Sequence, residues 1–184
     1  MRGSAAVLAV VLVALAGCSG DPVGSGTGTV AYHVSDHPDT LSDFAHLNVT
    51  VTRVGLHRAG TPADNASAWT TRDVNATLDL TRLAGANATL LTRLAVDSGR
   101  YDRAVIHVAR AEGRLVTGRP ATVRVPSERL TVATGFTVRA DESVPFVFDL
   151  MVVRTGAGWG YLLRPVARES GAHRPLTPVD ARVG

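Results

Sequence analysis

The sequence predicts an all-β fold, an antiparallel β-sandwich carrying one or two short helical turns. Two observations predict it. From Thr29 onward apolar residues recur mostly with period two, the spacing that places alternate side chains on one face of a strand. Turn signals rich in Gly, Pro, Asp and Ser separate these runs at short intervals, as in sandwiches and barrels.

The elements follow in order. Val30, Tyr32 and Val34 alternate with Ala31 and His33 in the first strand. Leu47, Val49 and Val51 alternate with Asn48, Thr50 and Thr52, and the apolar row then continues at Val54 and Leu56. One extra residue near Thr52-Arg53 explains that phase slip as a β-bulge. Leu80, Leu83, Leu90, Leu91 and Leu94 fit a helical period better than a strand period, with Gly85 interrupting them. They predict one or two helical turns between two strands. Further strands are expected at 101–109, 121–125, 129–133, 136–139, 144–153 and 161–167. Their turns fall at Asp97-Ser98-Gly99, Thr117-Gly118-Arg119-Pro120, Thr134-Gly135 and Thr155-Gly156-Ala157-Gly158. The last two strands form a hairpin whose turn, centred near Ala157, sets Asp149 opposite Arg164 or Pro165. Residues 169–184 hold Pro175 and Pro178 without an apolar period and read as a loose tail.

The N-terminus reads as an address. Arg2 precedes an apolar run from Ala5 to Ala16, followed by small residues, the layout of a secretory signal peptide. The run is shorter than the ~20 apolar residues a spanning helix needs. Leu15-Ala16-Gly17-Cys18 resembles the lipobox of prokaryotic lipoproteins at all four positions. That resemblance implies cleavage after residue 17, lipidation of Cys18 and a place on the outer face of the cytoplasmic membrane, with the anchor holding the protein to the membrane. Ser19 to Gly28, SGDPVGSGTG, is a Gly/Ser-rich tether. The expected organisation is a signal peptide at 1–17, a lipid-anchored tether at 18–28, a sandwich domain at 29–168 and the tail at 169–184.

Composition excludes several classes. The pI near 9.7 rests on a net charge of only +3, and the arginines are scattered rather than clustered, which argues against a nucleic-acid surface. All 19 basic residues are Arg, so no lysine is present for Schiff-base chemistry. The single cysteine, Cys18, leaves the body without a thiol nucleophile, a Cys-ligated zinc or an internal disulfide. There is no Gly-x-Ser-x-Gly elbow and no His-Glu-x-x-His. The four glutamates, Glu112, Glu128, Glu142 and Glu169, lie far apart in sequence. No enzyme and no cofactor are expected.

Three features carry chemistry. His33, Asp36, His37, Asp39 and His46 gather around one loop, with residue types that hold zinc or another divalent ion; Asp36 and Asp39 equally suit turn formation. Asp149 lies in the apolar row Val147-Asp149-Met151-Val153, where a carboxylate needs a partner, a place at the rim or a solvent-facing row. All four asparagines, Asn48, Asn65, Asn75 and Asn87, begin N-x-S/T acceptors. With 29 Ser and Thr in 184 residues, four successes by chance occur on the order of once in a thousand. They are candidate N-glycosylation sites, and turn-forming Asn beside Thr-rich strands is the alternative. On Asn48 the alternation buries Leu47, Val49 and Val51 and leaves the Asn outward.

A family resemblance spans Gly28 to about Pro165. Val34-Ser35-Asp36 with Pro38, Leu47 to Val54, Asp79-Leu80 with Leu83, Ser98-Gly99-Arg100-Tyr101, Phe146 to Leu150 and Tyr161 to Pro165 occur in the order seen in the domain of unknown function 4382 family of archaeal and bacterial surface lipoproteins. Gly-x-Tyr before an alternating strand is also similar to transthyretin-type sandwiches, and an Ig-like Greek key is the related topology. The resemblance implies an envelope protein without an assigned activity, and it carries over no catalytic residue. The expected function is a non-catalytic, tethered, N-glycosylated surface module whose partner is an envelope protein or a glycan. A ligand- or metal-binding module at 33–46 is the alternative reading, and a hydrolase without a recognisable motif is the third.

Overall fold

A computed structural model describes residues 26–156 and 160–183. Among them are eleven strands: β1 (Thr27–Asp36), β2 (Phe44–Arg58), β3 (Trp69–Asp79), β4 (Asn87–Asp97), β5 (Gly99–Leu115), β6 (Pro120–Arg124), β7 (Arg129–Val138), β8 (Ser143–Arg154), β9 (Tyr161–Pro165), β10 (Gly171–Ala172) and β11 (Thr177–Pro178). The chain is all-β. The strands run in one hydrogen-bonded path, β11-β4-β1-β8-β9-β6-β5-β2-β3, with β7 beside β5 and β10 beside β8. The expected purely antiparallel pairing does not hold. β1 runs parallel to β8, β6 to β9 and β11 to β4. No hairpin joins any of these pairs, so no turn fixes their direction.

The period-two rows form the core. Val30, Tyr32 and Val34 of β1 and Leu47, Val49, Val51, Val54 and Leu56 of β2 are buried. The register of β2 against both neighbours shifts between Val51 and Arg53, the bulge that the phase slip predicts. Tyr32 packs 5.2 Å from Phe146 between ring centres, and Phe136 lies equally close to Phe146. The Tyr32 hydroxyl donates to the Val105 carbonyl at 3.0 Å, which ties β1 to β5 through the core. Burial holds that phenol well above its usual pKa. Tyr101 is buried as well, and its hydroxyl donates to the Asp97 carbonyl at 2.7 Å. Gly99 has φ +154°, a backbone conformation that L side chains rarely adopt, so the Gly-x-Tyr entry to β5 favours glycine.

The leucine run meets its prediction at its start, with one turn between two strands, and departs from it at Leu90, Leu91 and Leu94. Leu80–Arg82 is a single 3-10 turn, and residues from Asn87 onward are strand β4. The register of β4 against β1 slips between Tyr32 and His33, which pair with Thr92 and Leu90. Leu91 is the extra residue, and the slip buries both Leu91 and Leu94. A bulge thus imitates a helical spacing of three. Thr134-Gly135 likewise forms a bulge within β7, since Tyr101 pairs with Phe136 and Arg103 with Ala133.

Residues 169–184 are not a loose tail as far as they are described. Gly171–Ala172 pairs with β8 and Thr177–Pro178 with β4. Asp79 donates its N–H to the Ala181 carbonyl at 2.9 Å, and Val183 N–H donates to Thr77 at 2.9 Å. Ala181 is fully buried, and the Arg182 guanidinium donates to Leu91 O at 2.8 Å. The segment clasps β4 to β3. Deleting residues 177–184 is therefore expected to lower unfolding free energy by about 2–4 kcal/mol, at a net ~0.5–1.5 kcal/mol per lost hydrogen bond. Urea titration of the shortened chain beside the full chain checks it; equal midpoints would show the clasp to be inert.

The β8–β9 hairpin forms, but its register differs by one or two residues from the expected one, which set Asp149 opposite Arg164 or Pro165. Met151 faces Arg164 and Leu150 faces Pro165. Asp149 instead lies beside Val166, which donates its N–H to the Asp149 carbonyl at 2.9 Å. The middle of the turn lies outside the described residues.

Candidate functional site

The five loop residues proposed as metal ligands do not gather into one group. His33 points its Nδ1 at the carbonyls of Ala31 (2.9 Å) and Phe146 (3.3 Å). His46 Nδ1 lies 2.8 Å from Asp79 Oδ2. Asp79 also accepts from Leu47 N–H and from the N–H and hydroxyl of Thr81. Burial works against its charge, yet the bonds from His46, Thr81 and Leu47 together hold its carboxyl below the usual range. Asp79 is thus a clamp on the 3-10 turn. His37 Nδ1 sits 3.3 Å from Asp39. Among the described residues no group of three or more His, Cys, Asp or Glu side chains comes together as a metal site.

The remaining member of that set, Asp36, leads elsewhere. A cleft of about 460 Å³ opens beside the C-terminal end of β1, lined by Ser35, Asp36 and His37, by Asp149 and Val147 of β8, and by Glu169, Arg174 and Pro175. Parallel pairing of β1 with β8 sets Ser35 directly against Asp149. Strand alternation puts both on the face opposite the core row Val34–Phe148–Leu150. The Ser35 hydroxyl donates a short hydrogen bond to Asp149 Oδ1. Asp149 is only 4% exposed, and its Oδ2 is buried without a hydrogen-bond partner. Its backbone N–H donates to Ser170 Oγ at 2.9 Å, so the C-terminal segment helps fix it. Burial raises the Asp149 carboxyl above its ordinary pKa, against the bond from Ser35 and the charges of His37 and Arg174.

Asp36 continues the core row of β1 and is completely buried, with both carboxyl oxygens unpartnered. Burial first, and then the charge of Asp149, push it well above the usual carboxylate range. The cleft therefore has a carboxyl in its floor and a second beneath it. Sequence reasoning named Asp36 as a ligand and Asp149 as an acid in an apolar row that needs a partner, a place at the rim or a solvent-facing row. It missed Ser35, because the partners are 114 positions apart and only the parallel pairing joins them.

A second hydrogen-bonded line lies on the other half of the sheet. His57 is fully buried, with Nδ1 2.7 Å from Asp102 Oδ1, and Nε2 3.2 Å from the Pro62 carbonyl and 3.3 Å from Thr61 Oγ1. The arrangement imitates a nucleophile, base and orienting acid. The Pro62 carbonyl can only accept, however, so Nε2 is placed to donate to it rather than to stand as a free base for Thr61. Thr61 itself donates to Arg58 O at 2.7 Å. His57 is a structural pin for the loop between β2 and β3. His107 stands half-buried, lowered in pKa by burial and then by Arg129 and Arg53, without a catalytic partner.

The acceptor asparagines occupy different settings. Leu47, Val49 and Val51 are buried while Asn48 is partly exposed, as alternation requires. Asn65 is exposed, and its side chain accepts from the N–H and hydroxyl of Ser67. Asn75 is exposed at φ 44°, a left-handed position that Asn tolerates. Asn87 is partly exposed. The hydroxyls of Thr50 and Thr77, from two of the four acceptor motifs, lie 3.0 Å apart. Cys18 lies outside the described residues.

Residues 27–165 match the family model described as domain of unknown function (DUF4382), and the chain belongs to that family. No curated protein and no solved structure matches it.

Proposed function

We propose that this member of the DUF4382 family is a non-catalytic cell-envelope module, lipid-tethered through Cys18, that works by binding at the cleft over Asp149. One observation carries the reading: a nearly buried carboxyl with a free oxygen lies in the floor of an open cleft. A buried acceptor left unpaired costs about 1–3 kcal/mol, and such sites are where binding is repaid. Chemistry is the weaker reading, because the Ser35 proton is given to Asp149 rather than to an imidazole. In this proposal the two halves of the strand path are the layers of a sandwich, and β6 with β9 is the seam between them. The four acceptor asparagines keep the tethered domain glycosylated on its outer surface.

Cys18→Ser tests the tether. The variant is expected to leave the membrane fraction for the medium or to accumulate as an uncleaved precursor. Unchanged membrane association with normal processing would sink the anchoring proposal. Mass spectrometry of the native protein from the same preparation reads the glycans; unmodified peptides at all four asparagines would remove them from it.

A further inference from the structure

We infer that the cleft over Asp149 takes a saccharide unit, recognised through its hydroxyl groups. The inference rests on the binding reading above and names the ligand class. Of the side chains lining the cleft, Asp149 Oδ2 and, beneath it, both Asp36 carboxyl oxygens have no hydrogen-bond partner, and His37 Nδ1 has only the Asp39 carboxylate 3.3 Å away. A hydroxyl both donates and accepts, so it can donate to Asp149 Oδ2 while accepting from a donor elsewhere in the cleft. The charged groups around Asp149 are of both signs, with Arg174 and His37 against Glu169. That mixture selects neither an anion nor a cation. No set of three metal-ligating side chains gathers among the described residues, which removes the simplest cationic occupant. Val147 and Pro175 add an apolar wall suited to the C–H face of a sugar ring. The volume of about 460 Å³ falls within the roughly 300–1,000 Å³ of small-molecule sites and holds one or two sugar rings. Oδ2 is shielded from solvent, so the ligand reaches it by parting the side chains around Asp149.

The test uses the full chain in detergent micelles on an array of immobilised mono- and disaccharides, followed by calorimetry with the best-bound sugar free in solution. Binding to both forms marks a free sugar as sufficient; binding to the immobilised form alone marks a unit within a larger glycan, and either supports the inference. Asp149→Asn is expected to weaken binding roughly tenfold or more, the equivalent of losing one hydrogen bond of about 1.4 kcal/mol. Arg174→Ala, on the rim, is expected to weaken it several-fold with the thermal midpoint unchanged, which keeps the test valid if the Asp149 variant fails to fold. Saccharide binding that ignores both Glu169→Gln and Arg174→Ala would overturn this location. If no saccharide binds but an envelope protein is captured in an Arg174-dependent way, the saccharide class fails and the binding reading stands. If neither binds, both fall.

Discussion

Replacing His57 with alanine is expected to lower unfolding free energy by about 2–4 kcal/mol, through a cavity and two lost hydrogen bonds. The ring is fully buried between β2 and the loop that follows it, with its centre 4.9 Å from that of Trp69. Trp69 is held in turn by its Nε1–H bond to Ala63 O at 3.0 Å and by the Arg129 guanidinium 4.3 Å from its ring centre. Removal of the imidazole frees Pro62 O and Asp102 and loosens residues 59–68 together. His57→Gln keeps one polar contact and is expected to lose less. Chemical denaturation of both variants, with Trp fluorescence as the reporter, checks the order. Wild-type stability in His57→Ala would show that the loop holds its place by backbone contacts alone.

What was legible in the sequence depended on whether it was local. The core rows of β1 and β2 and the bulge after Val51 follow from alternation, since each needs only a few adjacent residues. Leu91 and Leu94 misled for a physical reason: a bulge changes the phase of a strand, and a spacing of three then looks helical. Two-residue strands such as β10 and β11 have no period to read, so the C-terminal segment looked loose although Ala181 is buried in the core. The parallel pairing of β1 with β8 has no local signal. The cleft depends on it, because it alone brings Ser35 to Asp149. Asp149 was half legible, as a carboxylate in an apolar row; the partner that answers it was not. His57 shows the same limit from the other side, since nothing near it in sequence announces Asp102.

Wild-type stability is expected to fall as pH rises from mildly acidic to mildly alkaline, and Asp36→Asn is expected to remove much of that fall. In the unfolded chain the Asp36 carboxyl ionises near ~4. In the folded chain burial, and then the charge of Asp149, raise it well above its ordinary value. Between those two values the native state binds one proton more than the unfolded state, so stability declines with pH. The contribution is fully present below the unfolded value and is lost as pH rises through the folded one, at about 1.4 kcal/mol per pH unit for one group. Asp149 is raised as well and adds a decline of the same sign. Asparagine keeps the shape of the protonated acid and cannot ionise. At low pH the variant therefore matches the wild type to within about 1 kcal/mol, and at pH 8 it is the more stable of the two. Adding Asp149→Asn flattens the remainder. Urea titrations between pH 4.5 and 8 read the slopes directly. Parallel slopes for wild type and Asp36→Asn would mean that the Asp36 carboxyl is ionised in the native state and finds a partner there, and the sealed acid beneath the cleft would have to be abandoned.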